Sequence, residues 1–277
     1  MLKRMKYLVA ILVVGICLAS CSSNDVDPEK TATIPLLKQI KFDASTIGQI
    51  PINSSEINFN FEYDNSDRLI KKVGGYADLN PATGYSKIFT NDIYTSLVYT
   101  NNKVTVENFT TSDVYTVAKS SIYYTLNSSN LIEEKEIPNS LVLKYRKLLY
   151  KYTNGKLTEV VTTYPNMVYY PEDETDYVLT FSEKFYYDAH DNLTKTEYSE
   201  LHNGKEEGEK IIRTFEDYDN SYNPFKRLQL LEEYFYRSLS KNNFRKYKET
   251  SYLYGSVSTN ESTWTFIYDT KGNMVVD

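Results

Sequence analysis

Glu56-Ile57-Asn58-Phe59-Asn60-Phe61-Glu62-Tyr63-Asp64 decides the fold class. Ile57, Phe59, Phe61 and Tyr63 fall on one side of an extended chain, and Glu56, Asn58, Asn60 and Glu62 fall on the other. Four matches to a period of two mark a strand with one buried face. Tyr177, Leu179, Phe181, Phe185 and Tyr187 repeat the pattern with Glu183 as the mismatch, and Trp264, Phe266 and Tyr268 repeat it beside Thr263 and Thr265. Such alternation belongs to antiparallel sheets rather than to the continuous apolar strands of βαβ folds.

The strands end in a recurring phrase of aromatic, spacer, tyrosine, polar turn and aliphatic residue. Tyr63-Asp64 leads through Asn65 to Arg68 and on to Leu69. Tyr152 leads through Asn154-Gly155 to Leu157, Tyr187-Asp188 leads through Asn192 to Leu193, and Tyr268-Asp269 leads through Gly272-Asn273 to Met274. Weaker copies join Tyr99 to Val104 and Tyr124 with Leu126 to Leu131. This is hairpin chemistry: tyrosine and aliphatic face the core, while Asp, Asn and Gly accept positive φ between them. The tyrosines recur at spacings of 25 to 81 residues, so the return loops vary. Asn203-Gly204 marks another hairpin between Thr194–Leu201 and Ile211–Phe215, and Gly74-Gly75 reads as a turn after Val73. Asn223-Pro224 opens a stretch in which Phe225, Leu228, Leu231, Phe235 and Leu239 recur at helical spacing, predicting one amphipathic helix over Phe225 to Ser240 that covers an edge or open end of the sheet. A strand around Glu233–Arg237 is the alternative.

The first 21 residues address the chain. Lys3, Arg4 and Lys6 precede an apolar run from Tyr7 to Ile16, closed by Leu18-Ala19-Ser20-Cys21. That order reads as a secretory signal over residues 1–20 rather than a spanning helix, which needs roughly 20 apolar residues. The closing residues resemble a bacterial lipobox, which implies acylation of Cys21 with chains such as palmitate. Residues 21–36 are small, polar and acidic, and read as a tether. Residues 37–277 then form one domain, with no thiol for a disulfide, a nucleophile or a metal site. Losing three basic residues with the signal takes Lys+Arg from 31 to 28 against 37 acidic residues, a net charge of −9. That balance excludes nucleic acid as a natural partner and leaves membrane attachment to the lipid.

The hairpin phrase resembles the text of RHS/YD-repeat proteins. The whole chain is more similar to a group of Bacteroidetes lipoproteins of unknown function with a porin-like, all-β fold. The likeness rests on the lipobox, the hairpin phrases, Phe215 to Asn220 running into Asn223-Pro224-Phe225, Leu239-Ser240-Lys241-Asn242-Asn243, and Tyr268-Asp269 with Gly272-Asn273. It implies a single strongly curved antiparallel up-and-down sheet of hairpin repeats, closed or nearly closed like a small barrel, and brings no catalytic residues. Asp25, Asp27 and Glu29 resemble an acidic export tag, which implies the outer membrane with surface exposure; the periplasmic face is the alternative. A membrane-spanning barrel is disfavoured by the Glu, Lys and Asn opposite the aromatics.

Chemistry is sparse. His190 and His202 fall in predicted turns, His190 between Asp188 and Asp191, and read as solvated. Pro171 to Asp176 is an acidic run without the register of a calcium loop. Glu133-Glu134, Glu206-Glu207 and Glu232-Glu233 read as surface charge, and Trp264 as core. The expectation is a non-enzymatic envelope lipoprotein, without metal or cofactor, that binds a glycan or an envelope protein. Tyr76, Tyr85, Tyr169, Tyr170 and Tyr222, near predicted loops, are the candidate sugar platforms. A glycan hydrolase using a carboxylate pair and a structural or assembly lipoprotein are the alternatives.

Overall fold

The structure, a computed structural model, describes residues 36–43, 56–78, 87–117, 120–139, 144–268 and 274–276. The signal, Cys21, the tether and Tyr85 lie outside the described residues. The strands are β1 (Gln39–Asp43), β2 (Glu56–Tyr63), β3 (Leu69–Asp78), β4 (Lys87–Thr100), β5 (Lys103–Thr110), β6 (Ser121–Leu126), β7 (Ile132–Ile137) and β8 (Arg146–Thr153). They continue as β9 (Lys156–Thr163), β10 (Leu179–Tyr187), β11 (Leu193–His202), β12 (Lys205–Tyr218), β13 (Phe244–Leu253), β14 (Ser256–Thr263), β15 (Phe266–Tyr268) and β16 (Met274–Val276). Strands β1 to β14 form one antiparallel meander; β16 then joins β1 in parallel and carries β15 on its outer side.

The hairpin phrases sit at one end of the sheet, and their physics repeats. Asp64, Asn127 and Asp188 each turn Oδ1 onto two backbone N–H groups of their own loop, those of Ser66 and Arg68, Ser129 and Leu131, and His190 and Asn192. The left-handed residue in each loop is Asp67, Asn130 or Asp191, types that tolerate positive φ. The aliphatic residues that follow, Leu69, Val104, Ile132, Leu157, Leu193 and Met274, are among the most deeply buried side chains. In the β6–β7 hairpin that position belongs to Ile132, facing Leu126, rather than to Leu131.

One residue later the register slips. Ile70, Glu133, Thr158 and Thr194 have no partner opposite, so four hairpins carry a bulge at the same place. A bulge bends its strand and adds twist, and the series curls the sheet. The tyrosines then lock neighbouring hairpins together. The Tyr63 hydroxyl donates to the Leu37 carbonyl at 2.8 Å and Tyr99 to the Leu69 carbonyl at 3.0 Å. Tyr218 donates to the Leu193 carbonyl, and the Tyr152 hydroxyl meets the Ile132 backbone. A buried ring with a satisfied hydroxyl explains why tyrosine is preferred to phenylalanine here.

Two distances demand strong curvature. Laid flat, sixteen strands at about 4.8 Å spacing would separate the sheet edges by roughly 70 Å. The edges β14 and β15 are instead joined by Trp264 and Thr265 alone, a span of at most about 11 Å between flanking Cα atoms. No backbone ladder pairs β14 with β15 among the described residues, so the sheet is not closed. Side chains bridge the gap: the Tyr268 hydroxyl donates to Asp219 at 2.9 Å and accepts from Asn243 Nδ2 at 2.6 Å.

The segment from Asp219 to Asn243, the plug, fills the interior. Asn223 caps the turn Pro224–Arg227 as expected, Oδ1 accepting from Phe225 N. The predicted continuous helix does not form. A 3₁₀ turn at Pro224–Arg227, another at Glu232–Tyr234 and a single α-helix, α1 (Phe235–Leu239), replace it. Phe225, Leu228, Leu230, Leu231 and Tyr234 are all buried, which spreads apolar contacts over roughly 220° of a helical wheel at 100° per residue. The exposed Glu232 and Glu233 take the remaining arc, so the segment keeps one polar side although it folds as three short turns rather than one helix.

Outward faces carry charge ladders such as Lys147 with Glu134 and Glu136, Lys151 with Glu159, Lys195 with Glu197, and Lys246 with Glu216 and Glu261. A lipid-facing barrel would present an apolar band at these mid-strand positions. No helix among the described residues is long and apolar enough to cross a membrane.

Asn223 is fully buried, and its Nδ2 also donates to the carbonyls of Arg237 and Ser240 at 2.6 and 2.8 Å. Asn223→Ala should therefore cost roughly 2–4 kcal/mol in a denaturant titration, because three backbone groups lose their partner in a dry site; a loss below about 0.5 kcal/mol would remove the plug from its central role. Burial also pushes the Tyr99 phenol up to about 12 and raises those of Tyr63, Tyr152 and Tyr218. The fold favours their neutral form, so this stabilisation is complete below the unfolded value near 10 and lost as pH climbs through 12 and beyond. In an alkaline titration, phenolate absorbance from this set should appear only together with loss of the β-sheet circular dichroism; ionisation without unfolding would contradict the assignment.

Candidate functional site

Beside the plug, the curled sheet leaves a cavity of about 660 Å³. One wall is the inner face of β1 to β5, through Phe42, Phe59, Tyr76, Ile93, Thr95 and Asn108; a second is the plug, through Phe225, Glu233, Tyr234 and Arg237. The joining link adds Trp264 and Phe266.

The β3 wall exists because of two glycines. Gly74 and Gly75 are not a turn: β3 runs through them to Asp78, and Gly74, at φ +109°, stands opposite a bulge in β4 between Thr90 and Tyr94. A Cβ on Gly74 would stand 2.7 Å from Phe89 Cζ, and one on Gly75 2.5 Å from Ile93 Cγ2. Their missing side chains let β4 lean onto β3, and Phe59, Tyr76 and Phe89 meet there edge to face at centroid separations of 5.2 to 6.3 Å.

Charge inside the sheet is paired with care. Glu232 and Glu233 are exposed, as expected of surface charge, and each also anchors an inward lysine, Lys135 from β7 and Lys72 from β3. Glu183 breaks its strand's alternation because it faces inward, where Arg213 Nη1 meets it at 3.0 Å and the Tyr236 hydroxyl at 2.9 Å; Arg213 Nε also holds Glu249 at 2.8 Å. Asp78, at the cavity margin, pairs with Lys87 at 2.7 Å.

Arg237 is different. It projects from α1, and its Nη1 donates to the Phe244 carbonyl at 2.8 Å. Among the described residues no carboxylate forms an ion pair with it. Aromatic faces surround it instead, with the guanidinium carbon 4.1 Å from the Phe244 ring centre, 4.5 Å from Trp264, 4.9 Å from Phe266 and 5.5 Å from Phe225. Ring quadrupoles attract such a cation, yet burial still pulls its pKa down to about 10.

Of the sequence candidates among the described residues, only Tyr76 lines this cavity. Tyr169 and Tyr170 stand exposed on the β9–β10 connection, Tyr169 on a separate hollow of about 270 Å³ with Met167 and Tyr177. Tyr222 is exposed just before the plug's Asn223 cap. These candidates do not share one cavity: Tyr169 and Tyr170 lie together on the β9–β10 connection, and Tyr222 lies before the first turn of the interior segment. Trp264 is half-buried, packed against the core as expected and also lining the cavity, and it lies in the link between β14 and β15 rather than within a strand. Sequence reasoning missed Arg237, Lys72 and Phe59 as site residues. The available signal was charge at inward positions, as with Glu183.

His190 is exposed, its N–H bonded to Asp188. His202 ends β11 rather than lying in the turn, stacked on Tyr177 at 3.6 Å with Nε2 2.6 Å from Glu200. Asn203-Gly204 forms the expected two-residue turn with φ of +52° and +80°. In the acidic run, Asp173 and Asp176 bond to Thr175 and Tyr170 of their own loop.

Gly74→Ala should lower stability by about 1–3 kcal/mol, since it adds a methyl to an overpacked, positive-φ position. Gly155→Ala, also at positive φ but with open space around it, should cost less; equal losses in thermal unfolding would show that the close β3–β4 approach is not what Gly74 serves.

No protein-family model matches the chain, and no curated protein does. Among solved structures, the chain is similar to a porin-like protein from Bacteroides uniformis ATCC 8492, at 13% identity and a TM-score of 0.46 over 79% of each chain. It is also similar to a porin-like protein from Bacteroides vulgatus ATCC 8482, at 10% identity and a TM-score of 0.46 over 79% of this chain and 85% of that one.

Proposed function

We propose that this chain is a non-catalytic binding protein of the bacterial cell envelope, anchored in the outer membrane through an acylated Cys21 and facing the cell surface, that captures a small glycan in the cavity beside its plug. The observation that carries this reading is the cavity's composition. Flat faces at Phe59, Tyr76, Trp264 and Phe266 stand beside amide and hydroxyl groups at Asn108 and Thr95, the combination that stacks on a sugar ring and bonds its hydroxyls. A volume of about 660 Å³ suits one or two sugar rings, which favours a glycan over an envelope protein. Glu183, which faces inward, and the exposed Glu232 and Glu233 beside the cavity are each engaged by a cation, whereas a hydrolase needs a carboxylate free to take or give a proton.

Trp264 is the single tryptophan of the chain, so its emission reports directly on the cavity. Oligosaccharides titrated into the full chain in detergent should change Trp264 fluorescence saturably, with no shortened products by chromatography. Cleavage would overturn the non-catalytic reading. Silence across neutral and acidic oligosaccharides would overturn glycan capture and favour an assembly role, tested by crosslinking in intact envelopes. Labelling with a palmitate analogue should mark the wild-type chain and not Cys21→Ser.

A further inference from the structure

The charge balance of the cavity narrows what it takes. Lys72 is matched by Glu233, and Asp78 stands at the margin with Lys87. Arg237 remains as a cation with no ion-pair contact among the described residues, held by one carbonyl and four rings. The charge of Asp219 acts on it from beyond contact, and Asp219 is itself bonded by the Tyr268 hydroxyl. Removing a guanidinium from water is expensive unless an anion or several acceptors replace the solvent, and aromatic faces with one carbonyl replace it only in part. An arginine also presents its donors in a planar fork that matches a carboxylate. The guanidinium covers part of the Trp264 and Phe266 rings, and both residues also line the cavity, so a ring attached to that carboxylate would rest against the parts of them that the guanidinium leaves open.

We infer that the occupant of the cavity is a compact ring-bearing carboxylate, its anionic group seated on Arg237 and its ring against the Trp264 and Phe266 faces. This rests on the ligand-binding reading of the cavity given above. An acidic sugar and a planar aromatic acid share the required chemistry.

Two matched pairs test it in the full chain through Trp264 emission and calorimetry. One is digalacturonate against its methyl ester, and the other is phenylacetate against phenylacetamide. At least one acid should bind ten-fold or more tighter than its neutral partner, and the preference should shrink as salt is raised. Arg237→Met should abolish the preference and Arg237→Lys should retain part of it, with thermal unfolding confirming that each variant is folded. If Arg237→Met does not fold, the acid-to-neutral ratio in the unaltered protein decides alone. Equal binding of acid and neutral forms would overturn the carboxylate assignment and leave glycan capture standing. Binding by phenylacetate alone would keep the carboxylate and remove the sugar. No binding by any of the four would remove the ligand site itself, and this inference with it.

Discussion

Everything else in this fold answers to a covalent constraint: two residues, Trp264 and Thr265, join the outer strand of one sheet edge to the outer strand of the other. A meander places strands side by side in chain order, so the first and last should end far apart. A two-residue connection allows only a sheet that has curled almost onto itself. The curl has a local source in the bulges at Ile70, Glu133, Thr158 and Thr194, each one residue beyond a turn. It has a global support in the plug, which fills the space that the curl encloses.

The plug solves a problem that the curl creates. Sixteen curled strands surround more volume than their own side chains fill, and the segment between β12 and β13 supplies the missing apolar residues. Charge then fixes its position. Lys72, Lys135 and Glu183 stand on β3, β7 and β10, and all three reach residues between Glu232 and Tyr236. Their value lies more in register than in net stability, because Glu232 and Glu233 are exposed and an ion pair open to water contributes little. Where the plug does not reach, between β1–β5 and the joining link, the interior stays open, and that space is the cavity.

The alternation from Ile57 to Tyr63 and the tyrosine-turn-aliphatic phrases made the antiparallel hairpins legible, because one-sided burial and positive φ are local requirements written in local residues. The bulge opposite Gly74 was not legible as a bulge, since a glycine pair serves a turn or a close approach equally well until the neighbouring Phe89 and Ile93 are placed. Helical spacing from Phe225 to Leu239 misled for a related reason. Periodicity reports one wet side and one dry side, and the segment has both, with Glu232 and Glu233 exposed, but the pattern is met by three short turns as well as by one helix. The site was mostly hidden. Tyr76 was found because it sits near a loop, but Arg237 acquires its meaning from Trp264, Phe266 and Phe244, which come from three separate elements brought together only by the curl.

The plug also touches the hairpin turns at intervals. Arg227 bonds to Asp67 in the β2–β3 turn, Gln229 to Asn130 in the β6–β7 turn, and Lys241 N to Asp191 in the β10–β11 turn. These contacts make the segment a gauge of circumference. Duplicating a hairpin would widen the ring by two strands without lengthening the spoke that spans it, and some turn would lose its contact with the centre. Related chains with more or fewer hairpins should therefore carry central segments of correspondingly different length, and the number of strands in this architecture is counted from the inside.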